Sequence, residues 1–204
     1  METFKCEMPT WEEIQSLAKA TATKIKRSGF RPDIIISIAR GGLVPGRLLA
    51  DLLHVKDLIA IKTDHWGITA TKDGEAKISY PLNLALSGKR VLVVDDITDT
   101  GKSMELSKQH VAERKPVAVK TAALYHLRGA KYTPDFYGIE RDWAWMIFPW
   151  NVTEDLVNIV RKIKGEKPLA PAELRTTMKK NFNVTVSAEQ LQELLEHIRY
   201  LDHG

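Results

Sequence analysis

The chain has 204 residues and a mass of 23.0 kDa, with 44% hydrophobic and 27% charged residues, which is typical of one ordinary domain with a small appendage. It contains no apolar run long enough to span a membrane, and residues 1–10 lack the apolar segment of a secretory signal. Cys6 is the single cysteine. This count excludes an internal disulfide and a cysteine-rich zinc site, and it fits a reducing cytoplasm. The net charge of +4 and the pI of about 9.1 favour a mildly basic surface over nucleic-acid binding.

The first part of the chain alternates helix and strand patterns. Thr10 and Glu13 have the spacing of a capping box, which predicts the start of a helix. The run from Asp33 to Ile38 contains four isoleucines and has the near-continuous apolar character of a buried parallel strand. The elements predicted here are a helix over residues 10–26, a strand over 33–38, a helix over 43–53 and a short strand over 58–62.

The middle of the chain continues this alternation after a polar interruption. Residues 64–79 are polar and contain the turn signal Asp73-Gly74, so we predict a mobile loop or an exposed hairpin. The elements predicted next are a strand over residues 89–94, a helix over 101–113 and a strand over 117–125. Strands that alternate with helices imply right-handed crossovers, so the predicted fold class is α/β with a doubly wound, mostly parallel sheet.

The last part of the chain has a different character. Residues 131–151 hold three of the five tryptophans and show little periodicity, and residues 165–171 have the composition of a linker. Two helices are predicted beyond it, over residues 172–180 and after Ser187, which has Gln190 at the capping-box position. We therefore predict a main domain over residues 1–164 and a linker with a small helical tail over residues 165–204.

The segment from Val91 to Ser103 combines a strand, two acids and a turn of small residues. The apolar strand ends in Asp95 and Asp96, at the carboxyl edge where open α/β sheets bind ligands. A helix follows, and its free N–H groups with the hydroxyls of Thr100 and Ser103 form a cradle for a phosphate. Because carboxylates repel phosphate, the two acids must face something else, such as the vicinal hydroxyls of a ribose or a magnesium ion.

This segment matches one of two known phosphate-binding patterns. Gly101-Lys102-Ser103 imitates the end of an ATPase P-loop, but that motif needs a glycine at position 96, which is an aspartate here. The whole run from 91 to 103 instead resembles the type I phosphoribosyltransferases, which bind 5-phosphoribosyl 1-pyrophosphate. The resemblance extends over about residues 21–151 and is nearest to the purine branch, the xanthine-guanine and hypoxanthine-guanine phosphoribosyltransferases.

The resemblance implies a role for each polar residue of the run. Asp95 and Asp96 are expected to hold the ribose hydroxyls and Mg²⁺. The residues expected at the ribose-phosphate donor are Asp95, Asp96, Asp99, Thr100, Gly101, Lys102 and Ser103. In the purine branch the acid that matches Asp99 lies by the imidazole nitrogen of the base, so Asp99 is the candidate catalytic general base.

The loop after the first buried strand places an arginine beside two glycines. Such a loop allows backbone amides and a guanidinium to approach one anion together, although glycines after a strand often mark only a tight turn. The loop resembles the pyrophosphate loop of the family, with Arg40 and Gly41 at the contact positions. The resemblance also implies a non-proline cis peptide bond near Ala39–Arg40.

The polar segment over residues 64–79 lies where the family has a flexible loop that closes over the reacting centre. Closure shields an oxocarbenium-like transition state from water. Lys72 and Lys77 are candidates to reach the pyrophosphate, and a solvated charged loop is the alternative for either lysine.

Residues 145–151 resemble the family's hood, which we place at about residues 129–151. Trp145 is expected to stack on the base, with backbone groups near Met146 reading its edge. Leu127 stands where the purine branch has a lysine for the 6-oxygen, and Arg128 substitutes if the alignment shifts by one residue. Asn151 replaces an acid, so the preference between guanine, hypoxanthine, xanthine and adenine stays open.

Three functional hypotheses follow from these features. The first is an enzyme of purine salvage that transfers the phosphoribosyl group from the donor to a purine base, with Mg²⁺ as cofactor. The second keeps the donor and changes the acceptor to adenine, a pyrimidine or another base. The third is a non-catalytic regulator that senses the donor or a nucleotide. Family habit implies a homodimer, and the apolar face of the tail, formed by Leu191, Leu194, Leu195 and Ile198, favours an interface between subunits over a contact with nucleic acid.

Overall fold

The computed structural model describes residues 3–65, 76–165 and 169–203. Packing divides the chain into two units, which we call the sheet unit (residues 12–143) and the helical unit (residues 1–11 and 144–204). The domain boundary predicted at residue 165 stays a prediction, while the packing places residues on both sides of it in the helical unit.

The elements of the described residues follow the order expected for an α/β chain. The strands are β1 (Cys6–Glu7), β2 (Ile34–Ala39), β3 (Asp57–His65), β4 (Ala76–Tyr80), β5 (Arg90–Thr98), β6 (Ala118–Leu127), β7 (Phe136–Arg141) and β8 (Trp145–Met146). The helices are α1 (Trp11–Arg27), α2 (Leu43–Leu52), α3 (Lys102–Ala112), α4 (Val152–Lys164), α5 (Pro171–Phe182) and α6 (Ala188–His203). None of these helices is long and apolar enough to cross a membrane.

The sheet unit is built on six strands in the order β4-β3-β2-β5-β6-β7, of which only the β3–β4 pair is antiparallel. Ile34, Ile36 and Ile38 of β2 join one hydrophobic cluster with residues of α3, and Ile35 joins another with residues of α1 and α2. Strand β2 is therefore covered on both faces, which explains its continuous run of isoleucines. The predicted doubly wound, mostly parallel α/β fold is confirmed.

The order of the strands fixes where a ligand site can form. From the central pair β2 and β5, the chain runs outward to β3 in one direction and to β6 and β7 in the other. This reversal is a topological switch point, and open α/β sheets bind ligands just beyond the carboxyl ends of the strands at such a point. Here those ends are Ala39 and Thr98.

The helical unit pairs β1 with β8 in parallel and surrounds one core with α4, α5 and α6. Ser187 and Gln190 form the predicted capping box through the two expected hydrogen bonds, at 2.9 and 3.0 Å. Leu191, Leu194 and Ile198 are buried in this core, so the chain itself covers the apolar face that the sequence favoured as a subunit interface.

Some elements differ from those predicted from sequence, and one agrees with one of two predicted alternatives. Strand β5 continues to Thr98, so the two acids lie inside the last part of a strand and not just after it. Strands β3 and β4 pair antiparallel, which agrees with the exposed-hairpin interpretation of residues 64–79, while residues 66–75, on which the loop interpretation falls, lie outside the described residues. Helix α4 and strand β7 were not predicted, although the apolar residues of α4 have helical spacing.

Candidate active site

The carboxyl ends of β2 and β5 bring two separate parts of the sequence together. The ladder between these strands ends at the pair Ser37 and Val94. Beyond this pair, β2 leads to Arg40 and Gly41, and β5 continues through Asp95 and Asp96.

The two segments approach so closely that only glycine fits in the β2 loop. A Cβ atom added to Gly41 would lie 2.1 Å from Oδ2 of Asp96, and one added to Gly42 would lie 2.5 Å from the carbonyl oxygen of Val94. The loop is held there by a hydrogen bond of 2.9 Å from the N–H of Gly42 to the carbonyl of Ile38. The expected cis peptide bond between Ala39 and Arg40 is present.

Asp95 and Asp96 are neighbouring carboxylates whose negative charges repel each other. Asp96 is 7% exposed, and its backbone N–H donates to Oδ1 of Asp95 at 3.0 Å. Burial and the neighbouring charge of Asp96 raise the pKa of Asp95 well above its ordinary value. Adjacent carboxylates supply the hard oxygen donors that Mg²⁺ prefers, and a divalent cation would offset their repulsion, so the residues fit such an ion. In residues 3–65, 76–165 and 169–203 no third acid, histidine or cysteine completes a metal-binding cluster with them.

The turn after β5 leads directly into the start of α3. Gly101 precedes the helix with a φ of +83°, a left-handed conformation that favours glycine. The N–H of Lys102 points to Oγ1 of Thr100 at 3.4 Å, and Lys102 and Ser103 open the first turn of α3. Asp99 is exposed at the carboxyl end of β5. The first-turn amides and the small side chains therefore form the kind of surface on which a phosphate is bound.

A second segment, not identified from sequence, supports this turn from behind. The N–H of Lys131 donates to the carbonyl of Thr100 at 3.0 Å, and a Cβ atom added to Gly101 would lie 2.6 Å from Cβ of Tyr132. The contact explains why the position needs glycine for space as well as for its backbone conformation. The sequence shows little periodicity in this segment, and no local pattern indicates that it contacts the turn before α3.

Tyr132 is itself fixed by a chain of polar contacts. Its hydroxyl lies 3.2 Å from Nζ of Lys108 and 3.1 Å from Oγ1 of Thr121. Thr121 donates to Asp135 through its N–H and its hydroxyl, at 2.9 and 3.0 Å, and Lys120 adds an ion pair at 2.6 Å. Burial acts to raise the pKa of Asp135, but the hydrogen bonds from Lys120 and Thr121 outweigh it and lower that pKa below its ordinary value.

His126, interpreted from sequence as structural, is buried and has partners. Its Nδ1 lies 2.8 Å from Oγ1 of Thr98, and its ring centroid lies 5.1 Å from that of Tyr137. These contacts tie β6 to the end of β5 and to β7, and they agree with a structural role.

The residues predicted to bind the base lie in different units. Arg128 is in the sheet unit, where its guanidinium pairs with Glu140 at 3.0 Å and with Asp142. Leu127 beside it is 2% exposed. Trp145, Met146 and Asn151 are in the helical unit.

Within the helical unit, the Trp145 side chain is partly exposed and the Met146 side chain is buried. The indole Nε1 of Trp145 donates to Oδ1 of Asp155 at 3.0 Å, a partner that was not predicted from sequence. Asn151 stands immediately before α4. Of the predicted loop lysines, Lys77 is exposed on β4, and Lys72 lies outside the described residues.

Comparison with known proteins decides the family. The model of the phosphoribosyl transferase domain matches residues 10–155, which contain both the β2 loop and the turn after β5. The chain belongs to this family. It is therefore a phosphoribosyltransferase by family and fold, as the resemblance implied.

Several relatives of this family are similar over most of the chain. A xanthine-guanine phosphoribosyltransferase from Ruegeria sp. is 27% identical in an alignment of 163 positions, and the match covers 74% of this chain and 89% of the relative. The solved purine phosphoribosyltransferase from Pyrococcus horikoshii is 31% identical, with a TM-score of 0.63, and covers 72% of this chain and 93% of its own. A hypothetical protein from Neisseria gonorrhoeae, solved with bound ppGpp, is 28% identical, with a TM-score of 0.65 and coverages of 74% and 92%.

Proposed function

We propose that the chain transfers the 5-phosphoribosyl group from 5-phosphoribosyl 1-pyrophosphate to a purine base, giving a nucleoside monophosphate and pyrophosphate. The observation that carries this proposal is the meeting of the Gly41 loop with Asp96 at the carboxyl ends of β2 and β5. The donor has a phosphate at one end, a pyrophosphate at the other and ribose hydroxyls between them. These groups match, in that order, the turn after β5, the Gly41 loop, and the acids Asp95 and Asp96.

Each part of the donor has its own set of residues. The 5-phosphate binds the turn formed by Asp99, Thr100, Gly101, Lys102 and Ser103, and the pyrophosphate binds Arg40 and Gly41. Asp95 and Asp96 hold the ribose hydroxyls, and they would also hold Mg²⁺, which when bound neutralises charge on the leaving pyrophosphate. Catalysis rests mainly on positioning these groups and stabilising the developing charge.

The acceptor is proposed to be a 6-oxopurine. Relatives named xanthine-guanine and hypoxanthine-guanine phosphoribosyltransferase support this class of base. Trp145 supplies a flat aromatic face for stacking, Met146 its backbone groups, and Asp99 accepts a proton from the imidazole ring. Arg128 and Asn151 are the candidates for the groups at the edge of the base. We place this activity in the cytoplasm, which fits the single thiol of Cys6, and in a homodimer, as the family resemblance implies.

A panel of radiolabelled bases tests the proposal directly. The purified protein is incubated with donor, Mg²⁺ and, in turn, guanine, hypoxanthine, xanthine, adenine, uracil and orotate. We expect nucleotide from one or more of the 6-oxopurines and far less from the pyrimidines. Product from a pyrimidine alone would move the enzyme to another branch, and no donor binding in the presence of Mg²⁺ would refute the whole assignment.

One solved relative supports a second candidate function. The Neisseria protein of similar fold is described with bound ppGpp, which makes a guanine nucleotide with two pyrophosphate groups a ligand to test here. In this case the chain would sense a nucleotide and would not transfer a phosphoribosyl group. Calorimetric titration with ppGpp, together with the base panel, separates the two, because a regulator would bind ppGpp and form no nucleotide.

A further inference from the structure

The indole of Trp145 is held by more than packing. Its ring centroid lies 5.8 Å from that of Phe4, and its Nε1 donates to Oδ1 of Asp155 at 3.0 Å. Trp145 also packs against the hydrophobic core of the helical unit, but apolar packing does not set the direction of the indole N–H. The hydrogen bond from Nε1, the only donor of the indole, fixes the direction in which the N–H points. The ring contact and the hydrogen bond together therefore define the plane of the indole.

The backbone of Trp145 is fixed independently of its side chain. Its N–H donates to the carbonyl of Lys5 at 2.9 Å, and the N–H of Ile147 donates to the carbonyl of Glu7 at 2.9 Å. Strand β1 therefore holds the main chain of β8, and helix α4 holds the indole through Asp155. These constraints come from two different elements, so the second is not a by-product of the first.

Asp155 is a carboxylate in a buried position, and its burial costs free energy. It is 8% exposed and lies in the first turn of α4, where its N–H donates to the carbonyl of Asn151 at 3.0 Å. Burial raises the pKa of Asp155 to about 6, while the hydrogen bond from Trp145 acts in the opposite direction. Burying a carboxylate costs free energy that an apolar side chain in the same core would not cost.

In the described part of the chain, the side chains that shift the pKa of Asp155 are Trp145 and Glu154, and neither is positively charged. Glu154 on the same helix acts to raise that pKa further, and the charge of Asp155 in turn acts on Cys6 of β1. Burial, with the Asp155 carboxylate nearby, raises the pKa of the Cys6 thiol to about 11, so this group stays neutral. The N-terminal end of α4 favours an acid at this position, and the indole N–H donates to its carboxylate, which points to a role in orientation.

We propose that Asp155 is a positioning residue, whose carboxylate holds the indole of Trp145 in the plane in which it stacks on the acceptor base. The inference rests on the proposed function, because it gives Trp145 that role. It adds a residue on α4 that has no direct contact with the base and acts through the tryptophan.

Two substitutions at one position separate orientation from general stability. Asp155→Ala removes the acceptor, and we expect the KM for the base to rise about tenfold, the size of a lost charge-assisted hydrogen bond, with the KM for the donor within about twofold. Asp155→Asn keeps an oxygen acceptor for the indole and should restore the base KM to within about threefold of the wild type. A purely structural role would lower the melting temperature and kcat in both variants and leave the base KM unchanged.

A double-mutant cycle with Trp145→Phe tests whether Asp155 acts through the indole. Phenylalanine keeps an aromatic face but has no N–H to donate. In the Trp145→Phe background, Asp155→Ala should change the base KM by less than about twofold, because the contact is already absent. An equal, additive loss in both backgrounds would overturn the proposal.

A spectroscopic measurement keeps the inference testable if no base is accepted. The near-ultraviolet circular dichroism of the wild type minus that of Trp145→Phe isolates the signal of the fixed indole. For each Asp155 variant, the same difference is taken against the double variant that also carries Trp145→Phe. We expect this difference to be at least twofold smaller in Asp155→Ala than in the wild type, and to be mostly retained in Asp155→Asn. An unchanged signal in Asp155→Ala would refute the positioning role, whereas a failed base panel with the expected spectra would refute only the proposed function.

Discussion

At the scale of single residues, Asp99 is the group whose chemistry is easiest to isolate. It is exposed at the end of β5, so its substitution disturbs no core. Asp99→Asn keeps the shape of the side chain and removes the proton acceptor, so we expect kcat to fall at least about 100-fold while the donor KM stays within about threefold. Steady-state kinetics with both substrates varied measures this. The control is Asp51→Asn, an exposed acid on α2. Equal losses in kcat and donor affinity would argue against a general base.

Gly41 tests the meeting of the two strand ends. A Cβ atom there would lie 2.1 Å from the Asp96 carboxylate, so Gly41→Ala must displace either the loop or the acid. We expect the donor KM to rise more than about tenfold, since an overpacked contact costs on the order of 1–3 kcal/mol. Calorimetric titration of the donor with Mg²⁺ checks the affinity without turnover.

The matched control for this substitution is Gly165→Ala. Its added Cβ would have the carbonyl oxygen of Arg161 at 3.3 Å as its nearest neighbour, and its backbone is already helical, with a φ of −61°. The control should bind the donor like the wild type. If Gly41→Ala does so too, the predicted pyrophosphate loop does not need its close approach to Asp96.

At the scale of secondary-structure elements, Tyr132 links the segment after β6 to the turn that precedes α3. Its hydroxyl contacts Lys108 and Thr121, and its backbone and Cβ lie against Gly101. Tyr132→Phe removes the hydroxyl contacts and should raise the donor KM about fivefold, the equivalent of one ordinary hydrogen bond, with the base KM unchanged. Tyr137→Phe on β7 is the control. A rise in the base KM alone would contradict a role of Tyr132 in supporting the turn before α3 that is proposed to bind the phosphate.

The opposite ends of β2 and β5 are joined by an ion pair that contributes to stability. Arg90 donates to Asp33 through Nε at 3.0 Å and through a terminal nitrogen at 2.7 Å, and its backbone N–H adds a third bond at 2.7 Å. The side-chain hydrogen bonds from Arg90 lower the pKa of Asp33 well below its ordinary value. Because both side chains are partly exposed, we expect Asp33→Asn to lower the free energy of unfolding by only about 1 kcal/mol at pH 7.

The sign of the pH dependence follows from the lowered pKa. The ion pair stabilises the fold fully above the unfolded pKa of about 4, and this contribution is lost as pH falls towards the folded value. Urea unfolding at pH 7 and pH 3 should therefore show a smaller difference between wild type and Asp33→Asn at the lower pH. A difference that stays constant would mean that the carboxylate charge is not what stabilises the pair.

The elements also differ in how far the sequence could predict them. The donor turn was predictable because its strand, acids, small residues and helix start are contiguous, and local chemistry decides the conformation. The pairing of Cys6 with Trp145 was not predictable from sequence, because β1 and β8 have two residues each and are too short to show an alternation of apolar and polar residues. The same holds for the contact of Asp155 with Trp145, since the burial of a carboxylate depends on packing that no local pattern contains.

At the scale of the whole molecule, the part of the chain beyond the family match packs in the same unit as the predicted base-binding strand. The matched region ends at residue 155, but Phe182 and Met178 of α5 are fully buried in one core with Ile147. Phe182 also packs edge-on against Phe4, with ring centroids 5.0 Å apart. The tail therefore contributes buried side chains to the core of the helical unit.

Phe182→Ala tests this packing in the full chain. Removing a fully buried phenyl ring leaves a cavity, so we expect the free energy of unfolding of the helical unit to fall by about 3–5 kcal/mol. Tyr200→Ala, at a side chain that is 73% exposed, should change it by less than about 0.5 kcal/mol. The sheet unit has hydrophobic clusters of its own, so donor binding with Mg²⁺ should survive in Phe182→Ala while base binding weakens. Urea unfolding followed by circular dichroism, with donor and base titrations, measures both effects. Parallel loss of donor and base binding would show that the two units do not fold separately.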